Sequence, residues 1–243
     1  MSDQARVALV NMPFSYSKYP SIQLGTLSAL LKSKGIPVDC HHLNVRFAHK
    51  IGVPLYEMIC EKRALFGEWL FSYLLFRDNP KRADYPRVFK PVFEQIAQES
   101  GQPLSFFEDL ATKTAPQFLT WAMTAIDWGQ YKLVGFTSTF DQNVASLTLA
   151  KLIKDLYPEV KIVFGGANYD GDMGMEYFRA FPFIDYVVVG EGEEVVLQLV
   201  RHVMEGGTAP VPNGVLHRTD GQIRFTPNTT LFSDFARTGP PDY

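Results

Sequence analysis

Short apolar runs alternate along the chain with segments whose apolar residues recur at helical spacing. RVALVNM at 6–12 is rich in β-branched residues and runs into Pro13, which predicts a strand buried on both faces. A polar, aromatic loop follows at 13–20. SIQLGTLSALLKSKG then places Ile22, Leu27, Leu30 and Leu31 on one helical face, with Ser21 to cap the start and Gly35 to end it. PVDCHHL at 37–43 predicts a second strand. A strand–helix–strand unit of this length implies parallel strands joined by a right-handed crossover.

Residues 44–130 break the rhythm. VPLYEMICEKRALFGEWLFSYLLF and PQFLTWAMTAIDW carry Phe, Tyr, Trp and Leu at helical spacing, with the polar turn RDNPKRADYPR between them. Several helices and no strand are expected, in an insertion too long for a simple crossover. Pro116 is expected to start or kink a helix.

The alternation resumes with strands at 132–138, 160–165 and 184–189. Helices are expected at 141–156, with Val144, Leu149, Ile153 and Leu156 inward, at 174–181, and at 193–204, closed by Gly206 and Gly207. NGVLHRT and QIRF, joined at Asp220-Gly221, predict a β-hairpin. The expected fold class is α/β: a doubly wound, five-stranded parallel sheet of flavodoxin-like or Rossmann-like type, in strand order 2-1-3-4-5. It carries a large helical insertion after strand 2 and the C-terminal hairpin. The division expected is an α/β domain at 1–210, containing the insertion, then hairpin and linker at 211–243. The Pro/Gly-rich ending FARTGPPDY reads as an interdomain linker toward a missing domain.

The chain has 243 residues, 46% of them hydrophobic, and a formal net charge of −3. A weakly acidic chain has no general attraction for nucleic acid. No apolar run is long enough to span a bilayer, and the N-terminus lacks a signal-peptide layout, so a cytoplasmic protein is expected. Two cysteines, Cys40 and Cys60, exclude a disulfide framework or an all-cysteine iron–sulfur site within these residues, and both are expected to be buried thiols. The five histidines show no metal-ligand spacing, and Asp170 with Asp172 is too little for a calcium loop.

Ligands of an open parallel sheet bind past the carboxyl ends of the strands, where strand order reverses. Those loops read NMPFSYSKYPSIQLG, TSTFDQN, GGANYDG and GEGEE. Gly165 and Gly166 follow one strand, and Gly190, Glu191 and Gly192 follow the next. Ser138 and Thr139 end the third. Glycine lets a ligand approach the backbone closely, so these loops predict a slot of small residues, amides and hydroxyls. Such a slot suits a neutral, hydrogen-bond-rich ligand better than a polyphosphate. A bulky residue at Gly166 is expected to fill it. The dinucleotide G-x-G-x-x-G and the phosphate-loop motif are both absent.

Read together, RVALVNMPF, PSIQLGTLSALLKSKGI, FGEWLF, VGFTSTFDQNVASLTLAKLIK, FGGANYDGDMG and FPFIDYVVVGEGE resemble the N-terminal region of the ribosomal peptide maturation radical SAM protein 1 family. The resemblance implies a cobalamin-binding domain whose partner is a C-terminal radical SAM barrel of the same polypeptide. The barrel's CxxxCxxC motif is absent here, so this segment alone is not expected to be an enzyme. For the whole protein the resemblance implies a [4Fe-4S] cluster, S-adenosylmethionine, and C-methylation of a precursor peptide, with methylcobalamin as methyl donor. The D-x-H-x-x-G motif of other cobalamin proteins is missing, so the cofactor is expected base-off with no protein histidine on cobalt. By loop position, Pro13, Phe14, Ser21 and Gly25 would edge the corrin. Ala167 and Asn168 would touch corrin amides or the nucleotide tail, beside Ser138, Thr139, Gly165, Gly166, Gly190 and Gly192. Glu191 would accept a hydrogen bond. Neither nucleic acid nor membrane is an expected partner. Two other readings stay open: a peptide-recognition or regulatory domain that has lost cobalamin, and a nucleotide-binding enzyme domain.

Overall fold

The computed structural model describes residues 6–62, 65–229 and 239–242. Strands β1 (Arg6–Asn11), β2 (Val38–His42), β3 (Tyr131–Thr137), β4 (Lys161–Gly165) and β5 (Tyr186–Val188) are parallel, in the order 2-1-3-4-5. β6 (Val215–Thr219) and β7 (Gln222–Arg224) form the hairpin, with Asp220 and Gly221 both at positive φ, as its two-residue turn requires. β6 pairs antiparallel with β5 through Val187–Leu216 and Val188–Val215. The sheet therefore has seven strands where five were expected: the hairpin extends the sheet.

Helix α1 (Ile22–Ser33) joins β1 to β2. Ser21 Oγ accepts the Leu24 amide at 3.3 Å, and Gly35 at φ +73 follows the helix, so both end signals act as read. Between β2 and β3 lie α2 (Leu43–Ile51), α3 (Val53–Lys62), α4 (Phe66–Leu75), α5 (Tyr85–Val88), α6 (Lys90–Ser100), α7 (Leu104–Asp109) and α8 (Ala115–Ala125). Pro116 follows directly on a π-helical turn (Leu110–Thr114) that runs α7 into α8, so the proline falls where the helical ladder is already irregular. α9 (Asn143–Leu156), α10 (Gly171–Ala180) and α11 (Glu193–Met204) complete the crossovers. α10 begins a turn earlier than read, because Asp170 caps it. No described helix is long and apolar enough to cross a membrane. Most of the 235–243 linker reading falls outside the described residues.

Alternate strand residues serve two cores. Ala8, Val10, Val134, Phe136, Ile162 and Phe164 face one that also takes the buried sides of α2–α4 and α6–α10. Val7, Leu9, Leu133, Val163, Val188 and Val215 face the other, covered by α1 and α11. Two residues read as inward-facing are exposed, Ile22 (59%) and Leu156 (61%). Each ends its helix's apolar stripe where no neighbouring element covers it.

Candidate functional site

A cavity of about 250 Å³ opens between the sheet and the α1/α11 pair, at the carboxyl ends of the strands. Its sheet wall is aliphatic: Val7 and Leu9 from β1, Leu133 from β3, Val163 from β4 and Val188 from β5. Leu24 and Leu27 close it from α1, and Val196 from α11. Two strand glycines help keep it hollow. A side chain on Gly135 would come within 3.2 Å of Leu9 and 3.4 Å of Val163, so those two lean over the space it leaves. Gly165 faces open room, with Val188 the nearest neighbour to an added Cβ at 3.7 Å. Polar groups sit at the rim: Gln23 and Glu191 are exposed, and Thr137 and Glu193 half-buried.

A second cavity, of about 180 Å³, lies beyond the ends of β1 and β3 and shares Gln23 and Thr137 with the first. Its walls include Asn11, Phe14, Ser21, Thr139 and Asp141. Buried Gln142 organises it. Gln142 Nε2 donates to Asn11 Oδ1 (2.6 Å) and to the Met12 carbonyl (2.8 Å), and Gln142 Oε1 accepts the Thr139 amide (3.1 Å). Those partners fix the Gln142 amide, which in turn fixes Asn11 with its oxygen toward Gln142. Asn11 Nδ2 is then left without a hydrogen-bond partner.

The sequence-predicted residues divide three ways. Gly165, Gly166, Gly190, Glu191 and Gly192 line the first cavity. Phe14, Ser21 and Thr139 line the second. Pro13, Gly25, Ser138, Ala167 and Asn168 line neither. Ser138 is fully buried and its hydroxyl accepts from Asn168 Nδ2 at 2.9 Å. The same Nδ2 donates to the Phe140 carbonyl at 2.8 Å, so Asn168 ties two loops together. The Gly25 carbonyl accepts the Asp242 amide at 3.0 Å, while the Asp242 carboxylate holds Ser28 and Lys32 on α1. Gly166 is at φ +95, and an added Cβ would lie 2.7 Å from the Ser138 carbonyl. A larger residue there collides with backbone before it can fill the slot. Gly165 is the position from which a side chain would enter the cavity. The aliphatic wall, Gln23 and Asn11 went unread as site residues. The one signal for the wall was Gly135, a glycine inside a strand.

Among the described residues, neither cavity is lined by a lysine or arginine, whereas Asp141, Glu191 and Glu193 are acidic. That charge pattern disfavours a polyphosphate. Cys60 lines the second cavity, and burial pushes its thiol pKa up, so it stays protonated. Nearby, burial pushes the Glu68 carboxyl up to about 8, although its oxygens accept the amides of Asn143 (3.1 Å) and Val144 (2.5 Å) at the start of α9. His41 ends up against Tyr131, Nε2 to Oη 3.0 Å. No cluster of three metal-binding side chains occurs among the described residues.

No protein-family model matches the chain. Over 113 residues it is 29% identical to an uncharacterised methyltransferase of Pyrococcus horikoshii, PH0819, covering 46% of this chain and 24% of that protein. Its fold is similar to that of TsrM from Kitasatospora setae, a radical S-adenosylmethionine methyltransferase. With cobalamin and a [4Fe-4S] cluster bound, TsrM gives a TM-score of 0.52 at 18% identity, over 97% of this chain and 31% of TsrM. With tryptophan substrate and the SAM analogue aza-SAM bound, it gives 0.51 at 17%, over 93% and 31%. The chain spans about a quarter of the curated relative it matches and about a third of TsrM. At these identities the likeness to TsrM is one of fold.

Proposed function

We propose that this chain is the cobalamin-binding part of a radical SAM C-methyltransferase whose substrate is a ribosomally made peptide. The observation that carries the reading is the apolar cavity at the carboxyl ends of the strands, rimmed by glycine backbone and with no cationic side chain among its described lining residues. A sheet of this order binds its ligand there, and TsrM, of similar fold, has been seen with cobalamin bound. The peptide substrate rests on the family resemblance of the loop sequences. Residues 1–210 would form the cofactor unit, and 211–243 would lead toward the barrel.

When bound, cobalamin supplies a transferable methyl group at a metal centre that the protein need only hold and shield. The chain's own residues would do three things. The aliphatic wall would take the base of the nucleotide tail out of water. Gly165, Gly190 and Gly192 would let the tail pass close to the backbone, and Phe14, Ser21 and Thr139 would border the corrin edge. No histidine lines either cavity among the described residues, so the cofactor would be held base-off without an imidazole from this chain.

Hydroxocobalamin mixed with the chain and passed through a desalting column tests this. A retained base-off spectrum is expected, lost in Gly165→Leu, whose side chain enters the cavity, while far-UV circular dichroism stays unchanged. Colourless wild-type protein, or full retention by folded Gly165→Leu, would overturn the assignment.

A further inference from the structure

We propose that the first cavity selects among corrinoids by the chemistry of their lower base, accepting an apolar aromatic base and rejecting a purine. The proposal rests on the cobalamin reading and specifies which cobamides the same site takes.

The inference comes from where hydrogen-bonding groups stand in the cavity. The sheet wall is made by Leu9, Leu133, Val163 and Val188, each at most 6% exposed. Behind these side chains the backbone of β1, β3 and β4 is committed to strand pairing, so it offers nothing to a ligand. Phe136 and Phe164 also border the cavity, but their rings stack on one another at 5.0 Å in the opposite core. Among the described lining residues, the polar side chains all lie at the mouth, at Gln23, Thr137, Glu191 and Glu193. Among those lining residues, a base reaching the interior therefore meets no side-chain donor or acceptor, and the Val188 carbonyl, 3.7 Å from an added Cβ on Gly165, is the nearest backbone polar atom there.

The chemistry of the base then decides. Dimethylbenzimidazole buries two methyl groups and one free ring nitrogen, and a phenolic base buries no ring nitrogen. Adenine would bury an exocyclic amine and three ring nitrogens, stripped of water and unpaired. Leaving buried polar groups unpaired is the strong way for a pocket to reject a ligand. The same wall explains why room exists at all: a protein interior is ordinarily filled, and a hollow lined by Val and Leu stays ready for an apolar group.

Equilibrium dialysis of the chain against four corrinoids provides the test: cobalamin, a p-cresolyl cobamide, an adeninyl cobamide, and cobinamide, which has no base. Cobalamin and the p-cresolyl cobamide should bind within about threefold of one another, and the adeninyl form about tenfold or more weaker. Cobinamide should also be weaker than cobalamin. Val163→Thr keeps the side-chain shape and puts a hydroxyl on the wall, and it should narrow the gap between cobalamin and the adeninyl cobamide by about threefold or more. Equal affinity for the two bases would overturn the selectivity and leave the cobalamin reading standing. Cobinamide binding as tightly as cobalamin, or a gap unchanged in folded Val163→Thr, would do the same. Failure of all four to bind would overturn both.

Discussion

The two faces of the sheet are built from different materials. On the face covered by α9, α10 and the helices between β2 and β3, the core is rich in aromatic rings. Phe47 meets Phe14, Phe71 and Phe118 at 4.9–5.8 Å, and Phe66 meets Trp69, Phe93 and Phe107 at 4.8–5.6 Å. On the face covered by α1 and α11, every fully buried apolar residue among those described is Val or Leu. Rings at many angles fill irregular space, and each buries a large area. Short aliphatic side chains on the strands pack against α1 and α11 over part of this face, and leave a gap beside Gly135 and Gly165. One face therefore supplies most of the packing, and the other keeps room for a ligand. Dense packing and open space are thereby divided between opposite sides of one set of strands.

The largest effect that would break this division is expected on the filled face. Phe47 is fully buried at the centre of its ring cluster. Phe47→Ala should cost about 3–5 kcal/mol of stability, because the transfer term and an unfilled hole add. Urea denaturation reads this directly. A loss as small as that from trimming Leu27 on the hollow face would show that the two faces do not differ in packing.

The division also explains what could be read in the sequence. The parallel strands themselves were legible, because short apolar runs such as RVALVN and KLVGFT stand apart from the helical segments between them. Caps and turns at Ser21, Gly35 and Asp220-Gly221 were legible because their chemistry is local. The docking of the hairpin on β5 was not, since Val215 and Leu216 carry no mark of their partner. Ile22 and Leu156 fit the helical period, but periodicity gives a direction and says nothing of what lies there. At the site, Gly165 and Gly190 announced themselves by following strands. Ser138 and Asn168 looked like ligand groups because a sequence does not show that they satisfy each other. Val163 and Leu133 looked like ordinary core for the opposite reason: a binding wall of aliphatics and a packed wall of aliphatics are written with the same letters.

Per pH unit, a smaller effect belongs to Glu68, which reaches from α4 to the start of α9 on the filled face. Burial raises its carboxyl from 4.5 to about 8, so the folded protein holds a proton that the unfolded chain releases at lower pH. This contribution is fully present below about pH 4.5 and is lost as pH rises toward 8, at up to about 1.4 kcal/mol per unit. Urea midpoints should therefore fall between pH 5 and 8, and Glu68→Gln, which cannot ionise, should flatten that fall. An unchanged slope in the variant would assign the pH dependence to other groups.

The smallest effect is the sharpest comparison, because it uses one substitution on neighbouring strands. Val134 and Val163 lie on β3 and β4, one facing each core. Adding a methylene at Val134 forces it among packed rings, and Val134→Ile should cost about 1–3 kcal/mol. At Val163 the added methylene projects into the cavity. It loses water contact without displacing a neighbour, and Val163→Ile should stabilise by about 0.8 kcal/mol or less. Thermal melts of the two variants should thus shift in opposite directions, and only Val163→Ile should weaken corrinoid retention relative to its stability. Two shifts of the same sign would mean that α1 and α11 already close on the sheet as tightly as the aromatic helices do, and a hollow face would have no physical basis.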